Sequence, residues 1–327
     1  MDNNVIEVTF FLVEAALIWL VIIGNGTTII VQSLNRSLFD EVSSHLIVNL
    51  TIADLFIGLA YLHMVVIFLT NPANKYACLV CVSCMHFAIT ASFYATLAIA
   101  INRYVAIVYP LKYTKYVARR MVNAMIVASW CAAVLISSVL LYWNNYDPEK
   151  GNCKDAVPKL YYEVIWTPNF MVTWFSIFVL YLEIAKATRA HMERSKARSR
   201  GTTEGNNTSD KSSNLVFLFL GCFTICWLPH VVTRLLKLSL HLDDRSTTMI
   251  IVNQTSVLMA MSNGVINPLI YAWKTPAYRE AYQRVFKPKA LNDNNHNNNL
   301  EVRTNPDVST TRISRMWLRF STDDINV

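Results

Sequence analysis

Asp54 is a carboxylate in the middle of an apolar run that extends from about residue 44 to 68. An ionisable group in such surroundings is costly unless it is paired or hydrated, so it marks a functional site by default. Polar side chains at similar depth in other apolar runs are Asn25, Ser92, Asn263 and Asn267. A carboxylate among hydroxyl and amide oxygens suits a small hard cation, most simply sodium; the alternative is a hydrogen-bonded structural cluster. Arg103, in Asn102-Arg103-Tyr104, ends another apolar run, and taken alone it also reads as an interface arginine that snorkels to water. Pro229 and Pro268 sit inside two further runs. Each removes a backbone hydrogen bond and kinks its helix, which would free groups near Pro268 for Asn267 to engage. Kinks beside polar clusters suit helices with alternative bends, as a switch requires.

Only a membrane-embedded scaffold places such groups in apolar runs. The chain has 327 residues, of which 54% are hydrophobic and 16% charged, too apolar for an ordinary soluble domain. About 20 apolar residues cross the hydrocarbon, and seven segments qualify: 8–31, 44–68, 79–107, 121–142, 162–189, 214–238 and 247–273. Backbone groups there find no water, so each segment must be helical, and short connections make neighbours antiparallel. The expected fold is an all-α membrane protein, a seven-transmembrane helix bundle. Thr275 is placed to cap a short amphipathic helix over 276–286, with Tyr278, Tyr282, Val285 and Phe286 on one side, lying on the membrane surface. The domain reading is an N-terminus 1–7, a helix bundle with its short amphipathic helix 8–286 and a polar, disordered tail 287–327; Ser195 to Ser213 reads as irregular too.

The net charge is +7, but the cations fall in short segments between apolar runs rather than on a basic face interleaved with aromatics, so nucleic acid is not an expected partner. They cluster instead at one side of the bundle: Lys112, Lys115, Arg119 and Arg120; seven Lys and Arg from Lys186 to Lys211; and Lys274 onwards. That side is expected to be cytoplasmic and the acidic N-terminus extracellular. Of the seven cysteines, only Cys78 and Cys153 fall in loops. Both lie on the oxidising side, where a disulfide between them would pin the second outer loop over the mouth of the bundle. No metal-ligand cluster or activated nucleophile points to an enzyme.

In order and on successive helices, these motifs resemble the rhodopsin-like (class A) G-protein-coupled receptors over about residues 8 to 286. The matching positions are Gly24-Asn25, Leu50 and Asp54, Cys78, Asn102-Arg103-Tyr104, Trp130, Cys153, Tyr181, Phe223, Cys226-Trp227-Leu228-Pro229 and Asn267-Pro268-Leu269-Ile270-Tyr271. The resemblance implies a plasma-membrane receptor that binds an extracellular ligand in the outer half of the bundle and activates a heterotrimeric G protein. Asp54, Ser92, Asn263 and Asn267 would hold an allosteric sodium ion. Trp227 would sense ligand, while Asn102, Arg103, Tyr181, Phe223, Pro229 and Tyr271 would belong to the activation switch as the sixth helix swings out. Receptor kinases and arrestin would meet the tail, where Thr304, Ser309, Thr310, Thr311, Ser314, Ser321 and Thr322 offer phosphorylation sites.

Two positions depart from the family pattern. Asn102 replaces the usual Asp, so Arg103 should be held less firmly and basal activity raised. Thr173 replaces the usual kink proline of the fifth helix, with Pro168 displaced outward, which puts the customary bulge there in question.

Met85 stands about five turns before Arg103, where amine receptors carry Asp, which speaks against a classical amine ligand. Met261 replaces the retinal lysine of opsins. The scaffold wording is nearest to adenosine receptors, as in Leu97–Ile101, Pro110-Leu111-Lys112-Tyr113 and Trp143-Asn144-Asn145. Their pocket is not reproduced: Arg234 stands at the purine-binding Asn, and Lys154 to Val157 replace a Phe-Glu pair. Candidate pocket residues are Glu14, Met85, His86, Glu163, His230, Arg234 and Asn253. Arg234 has three readings: pairing with a ligand carboxylate or phosphate, pairing with Glu163, or snorkelling outward. A transporter, or a receptor that binds without coupling, are the alternative functions.

Overall fold

The computed structural model describes residues 3–39, 41–70, 74–111, 113, 115–147, 153, 156–198, 207–240 and 246–286. The expected tail over 287–327 therefore lies outside the described residues. Helices α1 (Asn3–Leu34), α2 (Val42–Thr70), α3 (Lys75–Val108) and α4 (Lys115–Tyr142) form the first four spans. The fifth is composite: α5 (Lys159–Tyr161), a π-helical turn (Tyr162–Trp166) and α6 (Thr167–Arg198). Helices α7 (Asn207–Leu240) and α8 (Thr247–Lys274) are the sixth and seventh, followed by the short α9 (Pro276–Phe286).

Six of the seven spans, all but α7, contain a described stretch long and apolar enough to cross a membrane. The helices close into a ring: α1 packs on α2 and α8, α2 on α3 and α4, α3 on α4 and α6, α6 on α7, and α7 on α8. In α3, 61% of the apolar window is buried, against at most 39% in the other five, which makes it the central helix. Leu12, Trp19 and Ile23 of α1, Leu135 of α4 and Val172 of α6 are exposed on the outside. Such a surface is stable only against lipid, where helices satisfy their own backbone groups.

Four local expectations change. Cys78 is not in a loop: α3 starts at Lys75, and Asn74 caps it by accepting from the Tyr76 N–H at 2.9 Å. Of the stretch expected to be irregular over Ser195 to Ser213, the described residues are helical, because α6 continues to Arg198 and α7 begins at Asn207, while 199–206 lie outside the described residues. Once a helix is nucleated, each added residue gains a hydrogen bond, so mediocre helix formers continue it. Thr275 does not cap α9 through its hydroxyl, which is buried without a hydrogen-bond partner. Instead its carbonyl accepts from the Arg279 N–H at 3.0 Å, and Pro276, which has no N–H to satisfy, opens the helix.

The fourth change is the irregularity of the fifth span, which is present but lies at Tyr162–Trp166 rather than at Thr173. Pro168 cannot donate to Val164, and the preceding turn widens so that the Thr167 N–H reaches back five residues to the Tyr162 carbonyl. Thr173 is buried and donates to the Asn169 carbonyl at 2.8 Å.

Candidate functional site

Around Asp54 and Asn25 the polar groups inside the bundle form two separate hydrogen-bonded sets. Asp54 is fully buried; Ser92 Oγ donates to its Oδ1 at 2.6 Å and Asn267 Nδ2 to its Oδ2 at 2.7 Å. The carboxylate thus ties α2 to α3 and α8. Asn263, also buried, leaves its Oδ1 without a partner. The donor set of carboxylate, hydroxyl and amide oxygens, with no cationic side chain paired to Asp54 among the described residues, fits a small monovalent cation.

Asn25 belongs to the second set and does not bond Asp54. Its Nδ2 donates to the Val21 carbonyl at 2.9 Å and the Gly264 carbonyl at 3.0 Å. Pro268 explains this, because Gly264 O is the acceptor that its missing N–H would have used. The group freed by the proline is therefore engaged by Asn25 of α1, not by Asn267 as the sequence suggested.

At the end of α3 that carries Arg103, Asn102 is buried and its Oδ1 accepts from the Tyr113 hydroxyl at 2.8 Å. Arg103 is half-buried and makes no ion pair among the described residues. Tyr181 of α6 is half-buried against the core, and Tyr271 of α8 is buried in it. Tyr271 stacks on Tyr278 of α9, with ring centroids 5.3 Å apart. Gln32 of α1 donates to the Tyr278 hydroxyl. Thr28 gives its proton to the Gly24 carbonyl, so at Thr28 Oγ1 it is the Tyr282 hydroxyl that donates, at 2.8 Å. Burial raises both α9 phenols above their ordinary pKa. They tie α9 to α1 and α8; Phe286 alone of the four predicted apolar positions is well exposed.

At the opposite end, Cys78 and Cys153 form a disulfide with Cα atoms 5.5 Å apart. Beneath it lies a cavity of about 260 Å³ between α2, α3, the fifth span, α7 and α8. Met85, His86, His230 and Arg234 line it, together with Ser92, Asn263 and Trp227, so it reaches down to the Asp54 cluster. Glu14, Glu163 and Asn253 are not among its lining residues. Glu163 is exposed, and Asn253 accepts from Lys237 Nζ at 3.2 Å.

Tyr61, Tyr162 and Trp166 also line the cavity, and the sequence reading missed them. The signal was the aromatic pair at 162 and 166 just ahead of Pro168. From this wall a chain of ring contacts descends: Trp166 stacks on Phe170 (5.3 Å), Phe170 meets Trp227 (5.4 Å), and Phe93 touches both Trp227 (4.4 Å) and Phe223 (5.4 Å).

Comparison with known proteins matches residues 24–271 to the model of the 7 transmembrane receptor (rhodopsin family). The chain belongs to that family. The match explains why the composition carries no enzyme signature: this family consists of receptors. The receptor is similar to the histamine H2 receptor of Homo sapiens, 27% identical over 92% of this chain and 85% of that one. It is likewise similar to the adenosine receptor A2a of Canis lupus familiaris, 25% identical over 86% of this chain and 73% of that one. The adenosine receptor A3 of Ovis aries is 25% identical over 86% of this chain and 90% of that one. As a member of the family it is a multi-pass membrane protein, for which an extracellular ligand and a G protein are the implied partners.

Proposed function

We propose that this plasma-membrane receptor takes a small extracellular ligand into the cavity beneath the disulfide and activates a heterotrimeric G protein by outward movement of the Arg103 end of α7. The observation that carries this reading is the continuous ring contact from the cavity wall at Trp166 through Phe170, Trp227 and Phe93 to Phe223. Trp227 and Phe223 both lie on α7, and Pro229 lies beside Trp227. A ligand that displaces Trp227 therefore pushes on a helix whose ladder is already interrupted, and packed interfaces respond by switching between arrangements rather than by bending continuously. In this reading the disulfide end and the N-terminus are outside, and Arg103, Tyr181 and Tyr271 face the G protein. Receptor kinases and arrestin would act on the tail.

The test is second-messenger output, cAMP and calcium, in cells expressing the chain, with Arg103→Ala as the control. Output above that of untransfected cells that disappears in Arg103→Ala supports coupling. Surface-expressed protein that is silent against adenosine, histamine and a panel of lipids and peptides would favour a receptor that binds without coupling.

The same reading places a sodium ion on Asp54, Ser92, Asn263 and Asn267. Its support is the fully buried carboxylate beside the unpartnered Asn263 Oδ1. Purified receptor should melt at a higher temperature in sodium chloride than in choline chloride at equal ionic strength, because an ion bound only by the folded state stabilises it. Asp54→Asn should abolish the difference; equal melting of the unaltered receptor in both salts would leave the structural reading of Asp54.

A further inference from the structure

We infer that the ligand of this cavity is a small organic anion, its acid group held by Arg234 and its apolar body lying toward Trp227; the inference rests on the receptor reading above. Arg234 stands on α7 about two turns from Trp227. It does not pair with Glu163, which is exposed. Its guanidinium lies over the Tyr162 ring at 5.1 Å and the Trp166 ring at 5.9 Å, on the cavity wall.

The rings supply cation–π attraction but no lone-pair acceptor for the five N–H donors of arginine. Nε is buried without a hydrogen-bond partner, and Arg234 makes no ion pair among the described residues. A guanidinium without an ion pair on a cavity wall is suited to a planar carboxylate or a phosphate, which two of its donors can hold side by side.

Among the lining residues of the cavity there is no Asp or Glu, and Asp54, which the cavity approaches through Ser92, is fully buried with both oxygens accepting hydrogen bonds from Ser92 and Asn267. His86 is a fixed donor through Nδ1, which lies 2.8 Å from the Val82 carbonyl and must carry the ring proton to bond it. Most of the remaining wall is apolar, with Ile57, Ile89 and Met261 among its members. One charged group at one end and an apolar surface below it describe an amphiphilic acid. A space of about 260 Å³ suits a molecule of small aromatic-acid size rather than a peptide.

The experiment uses the purified full-length receptor and four matched probes: 3-phenylpropionate, its primary amide, 3-phenylpropylamine and phenethyl phosphate. The readout is the shift in unfolding midpoint as each is titrated into the millimolar range. At least one of the two acids should stabilise the receptor, and the carboxylate and phosphate arms show which head group fits. The amide and the amine should not. Arg234→Gln, which keeps a polar side chain but removes the charge and the fork, should weaken the acid by about 10- to 100-fold, and Arg234→Lys should retain part of its affinity. If Arg234→Gln does not fold, the loss of the fork in Arg234→Lys serves as the reading, with weaker binding expected.

Stabilisation by the amide or the amine equal to that by the acids, an acid effect unchanged in the variants, or no effect of either acid would each overturn the inference. The titration is repeated on Arg103→Ala. Acid binding in a receptor silent in every cell assay would leave the ligand class standing and count against coupling, whereas signalling receptor indifferent to both acids would do the reverse.

Discussion

Asn102 is the residue at which this receptor departs from its family's usual pattern and at which the structure shows the physical result. A carboxylate there would hold the adjacent guanidinium by a charge-assisted bond. The amide instead accepts the Tyr113 hydroxyl at 2.8 Å, and Arg103 is left without an ion pair among the described residues. Asn102→Asp should therefore lower ligand-free second-messenger output, by up to about tenfold if the restored pair biases the resting state by ~1.4 kcal/mol. Unchanged basal output at equal surface expression would show that the Tyr113 contact alone sets the resting state. Among the pocket residues the same scale separates Arg234, over its two rings, from Glu163, which is exposed. Residue type made both candidates; the facing of the helix decided between them.

Between elements, α1 and α2 approach closely at Gly58. A Cβ built on Gly58 would lie 2.6 Å from Ile22 Cγ1 and 3.2 Å from Val21 Cγ1. These atoms branch near the backbone and cannot swing clear, so α1 would have to move. Gly58→Val should cost about 1 to 3 kcal/mol, read as a lower unfolding midpoint of purified receptor and reduced surface expression; a midpoint equal to that of the unaltered receptor would mean that α1 is free to shift. The displaced bulge of the fifth span is an element-scale property as well. Pro168 marked the place where an N–H was missing, but the wider turn that absorbs the defect, and the two cavity aromatics it presents, arise from how the whole segment packs on α3 and α7.

Over the whole molecule, the disulfide joins residues 75 apart and fixes Cys153 at the cavity, which it lines. Cys153→Ser should lower stability by about 2 to 4 kcal/mol and weaken binding of any ligand held in the cavity, while leaving the Asp54 cluster and its sodium response intact. Loss of the sodium response in that variant would show that the two ends of the bundle are coupled more tightly than their hydrogen bonds indicate. The Asp54 cluster links α2, α3 and α8, Asn25 links α1 to α8, and the α9 tyrosines reach back to α1. The ring is thus cross-tied by polar contacts that lipid cannot replace.

By itself the sequence determined the seven spans, the family, the buried carboxylate and its amide and hydroxyl neighbours, because apolar runs of about 20 residues cross a membrane as helices and every polar residue inside them is conspicuous. It could not determine which polar group bonds which. Asn25 and Asn267 exchange their expected roles around Pro268, Thr275 caps with its carbonyl instead of its hydroxyl, and Tyr113, Tyr162 and Trp166 enter the two ends of the site unannounced. Helical spacing gives the face of a residue only relative to its own helix. The partner across the bundle depends on the rotation and offset of a second helix, and these are set by side-chain packing among all seven, which only the tertiary structure contains.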